Sequence, residues 1–150
     1  MNDNNFDYSY TDAICCVLAS ARKIKTVHLV LNYYISNYER LNGDYTYPKN
    51  KPDYIFESED EMVNYFIENG NEEQTFFWNK LNNNPKKIMV GAFFTSDNYL
   101  IMSLTFPADG KIEYEYLKEL KGLLNSKIGI VSYNSLPDFS DGADFLNKYR

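Results

Sequence analysis

Two apolar runs separated by only three polar residues put the strongest constraint on how this chain folds. Residues 87–95 and 99–106 are typical of β-strands, and Ser96-Asp97-Asn98 between them suits a tight hairpin turn. In the second run one face is apolar without interruption, and it consists of Leu100, Met102, Leu104 and Phe106. Because a face this continuous is not expected to stay in water, the hairpin must belong to a sheet that other elements cover.

The clearest helix start in the chain is Ser58-Glu59-Asp60-Glu61. It is a capping box, in which the Ser58 hydroxyl accepts from the backbone N–H of Glu61 and the Glu61 side chain reaches back. The apolar residues that follow form one stripe of a helix, and they are Met62, Val63, Phe66 and Ile67. We expect this helix to end at Asn69-Gly70.

The first forty residues allow more than one interpretation. Asp12 is a suitable N-cap for a helix over residues 13–22, where the apolar positions at helical spacing are Ile14, Val17, Leu18 and Ala21. Residues 26–38 are rich in β-branched and aromatic residues and alternate at Val27, Leu29, Leu31, Tyr33 and Ile35. This alternation favours a strand, and a second helix is the alternative.

The remaining patterns complete the prediction of the fold class. In chain order they give a loop over 42–54, an aromatic segment of uncertain state over 74–81, a helix over 112–125, a strand over 128–133 and a last short helix capped by Ser140. The alternation of helices and strands predicts an α+β fold, with helices packed on a mixed or antiparallel sheet. The length predicts a single domain over residues 1–150.

The acidity of the chain is confined to one stretch. There are 21 acidic and 15 basic residues, which gives a net charge of −6. Residues 57–75 hold seven acidic residues and no basic one, whereas the parts before and after this stretch are close to neutral. Because a nucleic-acid binder normally has a basic face, we expect no direct binding to nucleic acid or to an anionic membrane.

Side chains that catalyse reactions at neutral pH are scarce. The one histidine, His28, lies in an apolar run, and the adjacent Cys15 and Cys16 are expected to be free, buried thiols. These residues allow no zinc site of ordinary ligand spacing, and the sequence has no phosphate-binding glycine motif. The acidic residues of the predicted helices fit capped starts and solvated faces. We therefore expect no enzyme activity, no metal and no cofactor.

The sequence also shows no signal for export or membrane insertion. Asp3 and Asp7 lie where a signal peptide carries basic residues, and no stretch approaches eighteen consecutive apolar residues. Since adjacent cysteines cannot bridge separate segments, a reducing cytoplasm is the expected compartment.

The acidic stretch is the best candidate for a functional surface. A helix start accounts for its first acids, but acids near the end of a helix are mildly unfavourable, so the later ones need another explanation. Aromatic rings among carboxylates suit docking on a basic protein surface, with the charges steering encounter and the rings giving affinity. The predicted partner-binding residues are Glu57, Glu59, Asp60, Glu61, Tyr65, Glu68, Glu72, Glu73 and Trp78.

The aromatic residues of this surface have a competing role in the core. We expect two of Phe76, Phe77 and Trp78 to be buried. Tyr65 and Trp78 are the candidate anchors for a partner, and Glu68, Glu72 and Glu73 are the carboxylates whose replacement should slow binding without affecting folding.

The last 65 or so residues resemble the bacterial immunity proteins that neutralise contact-dependent or polymorphic toxins. The resemblance lies in KIMVGAFFTSDNYLIMSLT, the helix YLKELKGLLNS and the segment IGIVSYNSLPDFSDGADF. It implies a single-domain inhibitor that binds a cognate toxin domain and blocks its active site or its substrate's approach. Many such toxins are nucleases with basic clefts, which an acidic inhibitor suits. The family has no shared catalytic motif, so no site residue is carried over from it.

Two other functions fit the same sequence. One is another non-enzymatic binding module, such as a phage-encoded inhibitor or an adaptor, and the other is an enzyme with an unrecognised site. An adjacent reading frame that ends in a small toxic domain would favour the immunity protein. The sequence leaves the oligomeric state open.

Overall fold

The computed structural model describes residues 11–39 and 56–150. The predicted loop over 42–54 lies outside the described residues. In chain order the elements are β1 (Asp12–Leu18), α1 (Ile24–Ile35), α2 (Glu59–Glu68), β2 (Gln74–Trp78), β3 (Met89–Phe94), β4 (Leu100–Pro107), α3 (Ile112–Leu123), β5 (Gly129–Tyr133) and α4 (Gly142–Tyr149).

The predicted hairpin is the centre of the sheet. Strands β3 and β4 pair antiparallel across the turn, with Phe94 opposite Leu100. The five strands lie in the order β2-β3-β4-β1-β5, and every neighbouring pair is antiparallel. The predicted α+β class is therefore confirmed, and of the two sheet types that the sequence left open, mixed or antiparallel, the structure has the antiparallel one.

Helices cover both faces of this sheet, to different extents. Helices α1, α2 and α3 pack on one face, here called the inner face, together with the predicted apolar residues of β4. Leu100, Met102, Leu104 and Phe106 are each at most 2% exposed. The opposite, outer face is covered by α4 and by Phe139, which precedes it. Ile101 of β4 is buried in this second layer, and Ser103 on the same face is also buried.

The helix predicted over 13–22 is wrong, because this segment contains strand β1. Its residues from Ala13 to Leu18 are all buried, with Cys15 on the inner face and Cys16 on the outer face. A strand that is paired on both edges and covered on both faces has no need of polar alternation. A short run that is apolar throughout has no period that separates a strand from a helix.

The strand preferred over 26–38 is also wrong, and the alternative of a second helix is correct. Helix α1 buries Val27, Val30, Leu31 and Ile35, which recur at helical spacing. Leu29 and Tyr33 belong to the alternating set, yet they are 45% and 53% exposed. Val27, Leu31 and Ile35 fit both the alternation of a strand and the spacing of a helix. In the structure they belong to the helical stripe that contacts the sheet.

The predictions for α2 hold in detail. Ser58 Oγ accepts from the backbone N–H of Glu61 at 3.1 Å, and the Glu61 carboxylate accepts from the N–H of Glu57 at 2.9 Å. The helix ends at Glu68, and Asn69 is its C-cap.

The later elements follow the prediction with one local correction. The aromatic segment 74–81, whose state was uncertain, contains strand β2, and α3 and β5 lie within the predicted ranges. The last helix is capped by Asp141, whose carboxylate accepts from the N–H of Asp144 at 2.8 Å, and not by Ser140. The chain offers two capping residues in succession, and Asp141 has the extended backbone that is usual at an N-cap.

One arginine joins the hairpin turn to α2. Arg22, between β1 and α1, donates to the carbonyl oxygens of Thr95 and Tyr99 at 2.9 and 2.8 Å, and to that of Phe66. Its guanidinium carbon lies 5.1 Å from the ring centroid of Phe94. The guanidinium thus satisfies carbonyls from two segments that are far apart in the chain.

An aspartate joins the same turn to α4. The Asp97 carboxylate accepts from the N–H groups of Gly142 and Ala143, both at 2.9 Å. Burial alone would raise the pKa of Asp97, but hydrogen bonds from Thr95 and from these backbone groups outweigh burial and lower the pKa.

Leu104→Ala should lower the free energy of unfolding by about 2–5 kcal/mol, because Leu104 is fully buried and its truncation leaves a cavity. Urea unfolding measures the loss. The control is Leu29→Ala on the exposed side of α1, for which we expect a change within about 0.5 kcal/mol. Equal losses for the two variants would contradict the assignment of this β4 face to the core.

Asp97→Asn should destabilise the protein by about 0.5–2 kcal/mol at neutral pH, since it weakens the cap on α4. A carboxyl group whose pKa is lowered on folding stabilises the protein above its unfolded pKa of about 3.9, and the stabilisation is lost as pH falls through the folded pKa. The variant should therefore lose less stability than the wild type below about pH 4. Asp12→Asn, at an exposed position, is the control; the same pH dependence in wild type and Asp97→Asn would exclude this role.

Candidate protein-binding site

The structure divides the acidic stretch between the two ends of α2. Glu57, Glu59, Asp60 and Glu61 surround its first turn, whereas Glu68, Glu72 and Glu73 lie at or beyond its last. The helix has ten residues, so about 15 Å separates the two groups. The seven acids therefore form two clusters and not one continuous patch.

The acids at the start of α2 make contacts within the protein. Glu59 accepts from the indole Nε1 of Trp78 at 2.5 Å, and Asp60 lies 3.0 Å from Nε2 of His28 on α1. Glu61 completes the capping box. These contacts give the first cluster structural roles, while Glu57 and Asp60 remain exposed.

The second cluster contains one buried carboxylate. Glu72 is 6% exposed and accepts a hydrogen bond from the Tyr65 hydroxyl. This hydrogen bond is the main reason that the pKa of Tyr65 is raised to about 12. Glu68 and Glu73 are exposed, so they are the two acids of this cluster that can meet a partner.

The predicted aromatic anchors have different positions. Trp78 is 2% exposed on the inner face, and Tyr65 is half-buried beside Phe56 and Phe66. Phe76 is also buried, so two of the three aromatics at 76–78 lie in the core, as expected. Phe77, between two inward residues of β2, is 39% exposed on the outer face and is the surface aromatic that the sequence analysis did not select. The assignment of 74–78 to a strand would have indicated it.

Phe77 lies at one end of a row of rings on the outer face. It packs edge-on against Phe93 at 5.7 Å between centroids, and Phe93 packs against Phe139 at 6.1 Å. Phe139 in turn packs against Phe145 of α4. Gly91 lets Phe77 lie flat on the sheet, because a Cβ there would stand 2.9 Å from the Phe77 ring.

A groove of about 410 Å³ opens beside this row, between the start of β2, the end of β3 and the segment before α4. The residues that line it are Glu73, Gln74, Thr75, Phe93, Phe94, Thr95, Phe139 and Ser140. Of the described residues in this lining, Glu73 carries the one charge. The groove therefore combines aromatic edges, hydroxyl groups and a single exposed carboxylate. Phe139 could not have been found from the sequence, because its place follows from the packing of α4.

Helix α1 carries a second exposed apolar patch, formed by Leu29 and Tyr33. Interaction with the Glu119 carboxylate of α3 raises the pKa of the Tyr33 hydroxyl. Lys25 is exposed four residues before Leu29 and so shares its side of the helix. This patch does not combine rings with carboxylates of the acidic stretch.

The candidate catalytic side chains lie on different elements, His28 on α1 and the two cysteines on β1. His28 is partly exposed on α1 beside Asp60. Cys15 and Cys16 are free and buried, as expected, and burial and then Glu113 raise the pKa of the Cys15 thiol to about 12. Within residues 11–39 and 56–150, no group of three or more His, Cys, Asp or Glu side chains is placed to hold a metal ion.

None of the helices described here has the length and apolar character needed to cross a membrane. Comparison of the chain with protein-family models, with curated proteins and with solved structures gives no match.

Glu72→Ala should lower the free energy of unfolding by about 1–3 kcal/mol, because it removes the acceptor of a partly buried hydroxyl. Glu68→Ala, the matched change at an exposed position, should stay within about 0.5 kcal/mol of the wild type. Thermal or urea unfolding of both variants checks this. A neutral Glu72→Ala would contradict a structural role for the Tyr65–Glu72 hydrogen bond.

Proposed function

We propose that this protein binds a bacterial toxin domain and neutralises it by occluding the toxin's active site or substrate path. The function is that of the immunity proteins which the C-terminal half of the sequence resembles. The observation that carries the proposal is the outer-face groove, which Glu73, from the segment after α2, lines together with Phe93 and Phe139. A toxin with a basic cleft, such as a nuclease, is the partner that this chemistry suits.

The arrangement of charge supports fast association with such a partner. Glu68 and Glu73 are exposed in a stretch of nineteen residues that contains no basic side chain. Exposed carboxylates at a contact surface steer a basic partner into encounter, and salt weakens the effect over a screening length of about 8 Å at physiological ionic strength.

The aromatic residues support affinity in the same place. Phe77 is partly exposed and packs edge-on against Phe93 beside it, so the freedom of its ring is already limited before a partner arrives. A ring that is ordered in advance loses little conformational entropy on binding. Rings of this kind at the centre of a contact surface commonly dominate the binding energy.

The direct test is to search the adjacent reading frames for one that ends in a small toxic domain and to coexpress that domain with the chain. Copurification of a stable complex, with loss of toxin activity in that complex, is the expected result. If the toxin keeps full activity in the complex, the protein binds the toxin but does not inhibit it, and the inhibitory part of the proposal is wrong. Absence of any complex would contradict the proposal.

Replacing Glu68 and Glu73 together by Gln should slow association with the toxin several-fold at low salt and flatten its dependence on ionic strength. Glu72 is left unchanged in this variant, because its burial would mix folding with binding. Stopped-flow measurements at low and high salt give the rates.

The matched control carries the same change in net charge at exposed positions elsewhere, as Asp12→Asn with Glu115→Gln. The control should keep most of the wild-type rate, and urea unfolding should show that both double variants retain their stability. If the two double variants slow association equally, net charge and not the second acidic cluster is responsible.

A further inference from the structure

We infer that the exposed side of α1 binds a second copy of this chain, in a dimer whose twofold axis passes at Leu29. The inference does not depend on the proposed function, because α1 packs on the inner face of the sheet and the groove opens on the outer face. It rests on a row of exposed side chains along α1 and on Glu119 of α3, which lies beside one end of that row.

The row consists of Lys25, Leu29 and Tyr33, spaced four residues apart on the solvent side of α1. Leu29 is 45% exposed, Tyr33 is 53% exposed, and Lys25 is exposed as well. Residues four apart form one ridge along a helix, and such ridges from two helices interlock when the helices pack side by side. The exposed side of α1 therefore has the form of a helix-packing surface with no helix of its own chain on it.

The two ends of this ridge carry opposite charges. Lys25 lies at one end, and at the other end the Glu119 carboxylate interacts with the Tyr33 hydroxyl. Tyr34, next in the chain, packs edge-on against Tyr116, which lies one turn before Glu119 and so brings this part of α3 beside the end of α1. Within residues 11–39 and 56–150, neither Lys25 nor Glu119 forms an ion pair.

The stability of α1 itself does not explain Lys25. The helix begins at Lys23 without a side-chain cap, and its first turn contains no acidic residue. Because the start of a helix carries a partial positive charge, a cation in the first turn is mildly unfavourable. A carboxylate brought to Lys25 by another molecule would offset this cost.

A ridge with an apolar centre and opposite charges at its ends is complementary to itself. In a twofold symmetric dimer the same surface is used by both copies, so each contact occurs twice. With the axis at Leu29, the two Leu29 side chains meet, and Lys25 of each copy lies opposite Tyr33 and Glu119 of the other. The lysine ammonium is then attracted by both the ring and the carboxylate. This self-complementarity selects a second copy as the occupant.

The contact is small, so the dimer is weak. Helix α1 has 12 residues and is about 18 Å long. One ridge of this length buries less than the roughly 1,200 Å² that separates standard interfaces from weak ones. We expect a Kd on the order of 0.1–1 mM, so that the protein is a monomer in the dilute solutions used for unfolding.

Sedimentation equilibrium of the full chain, over concentrations from about 0.02 to about 1 mM, tests the inference. The weight-average mass of the wild type should rise from 17.6 kDa toward twice that value. Lys25→Glu and Glu119→Lys should each stay monomeric, because like charges then meet twice in every dimer.

A mixture of these two variants distinguishes this dimer from any other. When the Lys25→Glu protein pairs with the Glu119→Lys protein, both contacts join opposite charges, so the equimolar mixture should associate like the wild type. Lys86→Glu, at an exposed position before β3, makes the same change in net charge away from the ridge and should leave association unchanged. Urea unfolding of each variant confirms that it is folded.

Leu29→Asp adds a test that leaves Glu119 intact. It places two carboxylates on the twofold axis, so this variant should also stay monomeric. A wild type that remains a monomer at the highest concentration, association of Lys25→Glu or Leu29→Asp equal to that of the wild type, or failure of the folded variants to associate when mixed would each overturn the inference.

Discussion

The guanidinium of Arg22 joins four parts of this protein: the segment before α1 that carries it, the end of β3, the start of β4 and the end of α2. It bonds to carbonyl oxygens on both sides of the β3–β4 turn and to Phe66 near the end of α2, and it stacks on Phe94. Burial lowers the pKa of Arg22, an effect that nearby Asp97 opposes. Because α4 is tied to the same turn through Asp97, the position of both helical layers depends on how this turn is held. A partly buried cation is tolerated here because carbonyl oxygens surround it.

The outer-face groove is a consequence of that arrangement. Among the described residues, the outer layer consists of one short helix and the segment before it, and these cover β1 and β4 more fully than β2. Phe77 and Thr75 at the edge of the sheet therefore stay exposed, while Phe93 beside them is almost covered. The end of α2 brings Glu73 to the same corner. Within residues 11–39 and 56–150, the helices thus cover the inner face more completely than the outer face, and the sheet provides a rigid surface on which side chains for recognition are held in place.

The acidic stretch shows how far a candidate site can be predicted from sequence. The concentration of charge in 57–75 is visible without a structure, and it leads to Glu68 and Glu73, which are exposed. Sequence does not separate these from Glu59, which is bonded to Trp78, or from Glu72, which is buried beside Tyr65. All four are glutamates of the same acidic stretch, and what separates them is the contact of Glu59 with Trp78 of β2 and that of Glu72 with Tyr65 of α2. Charge is a property of the residue, whereas availability to a partner is a property of its neighbours.

The sequence by itself determined those parts of the structure that depend on interactions between residues close together in the chain. The β3–β4 hairpin and the capped start of α2 are encoded within a few residues, since a polar turn and a capping box satisfy backbone groups locally. Only the tertiary structure decided that 13–18 is a strand and that 24–35 is a helix. The first segment is apolar throughout and the second fits two periods, so neither carries a local signal that distinguishes the alternatives. Each segment adopts the form that buries its apolar side chains, β1 against β4 and α1 against β3. The same packing sets the sheet order, which leaves β2 at an edge with the groove beside it.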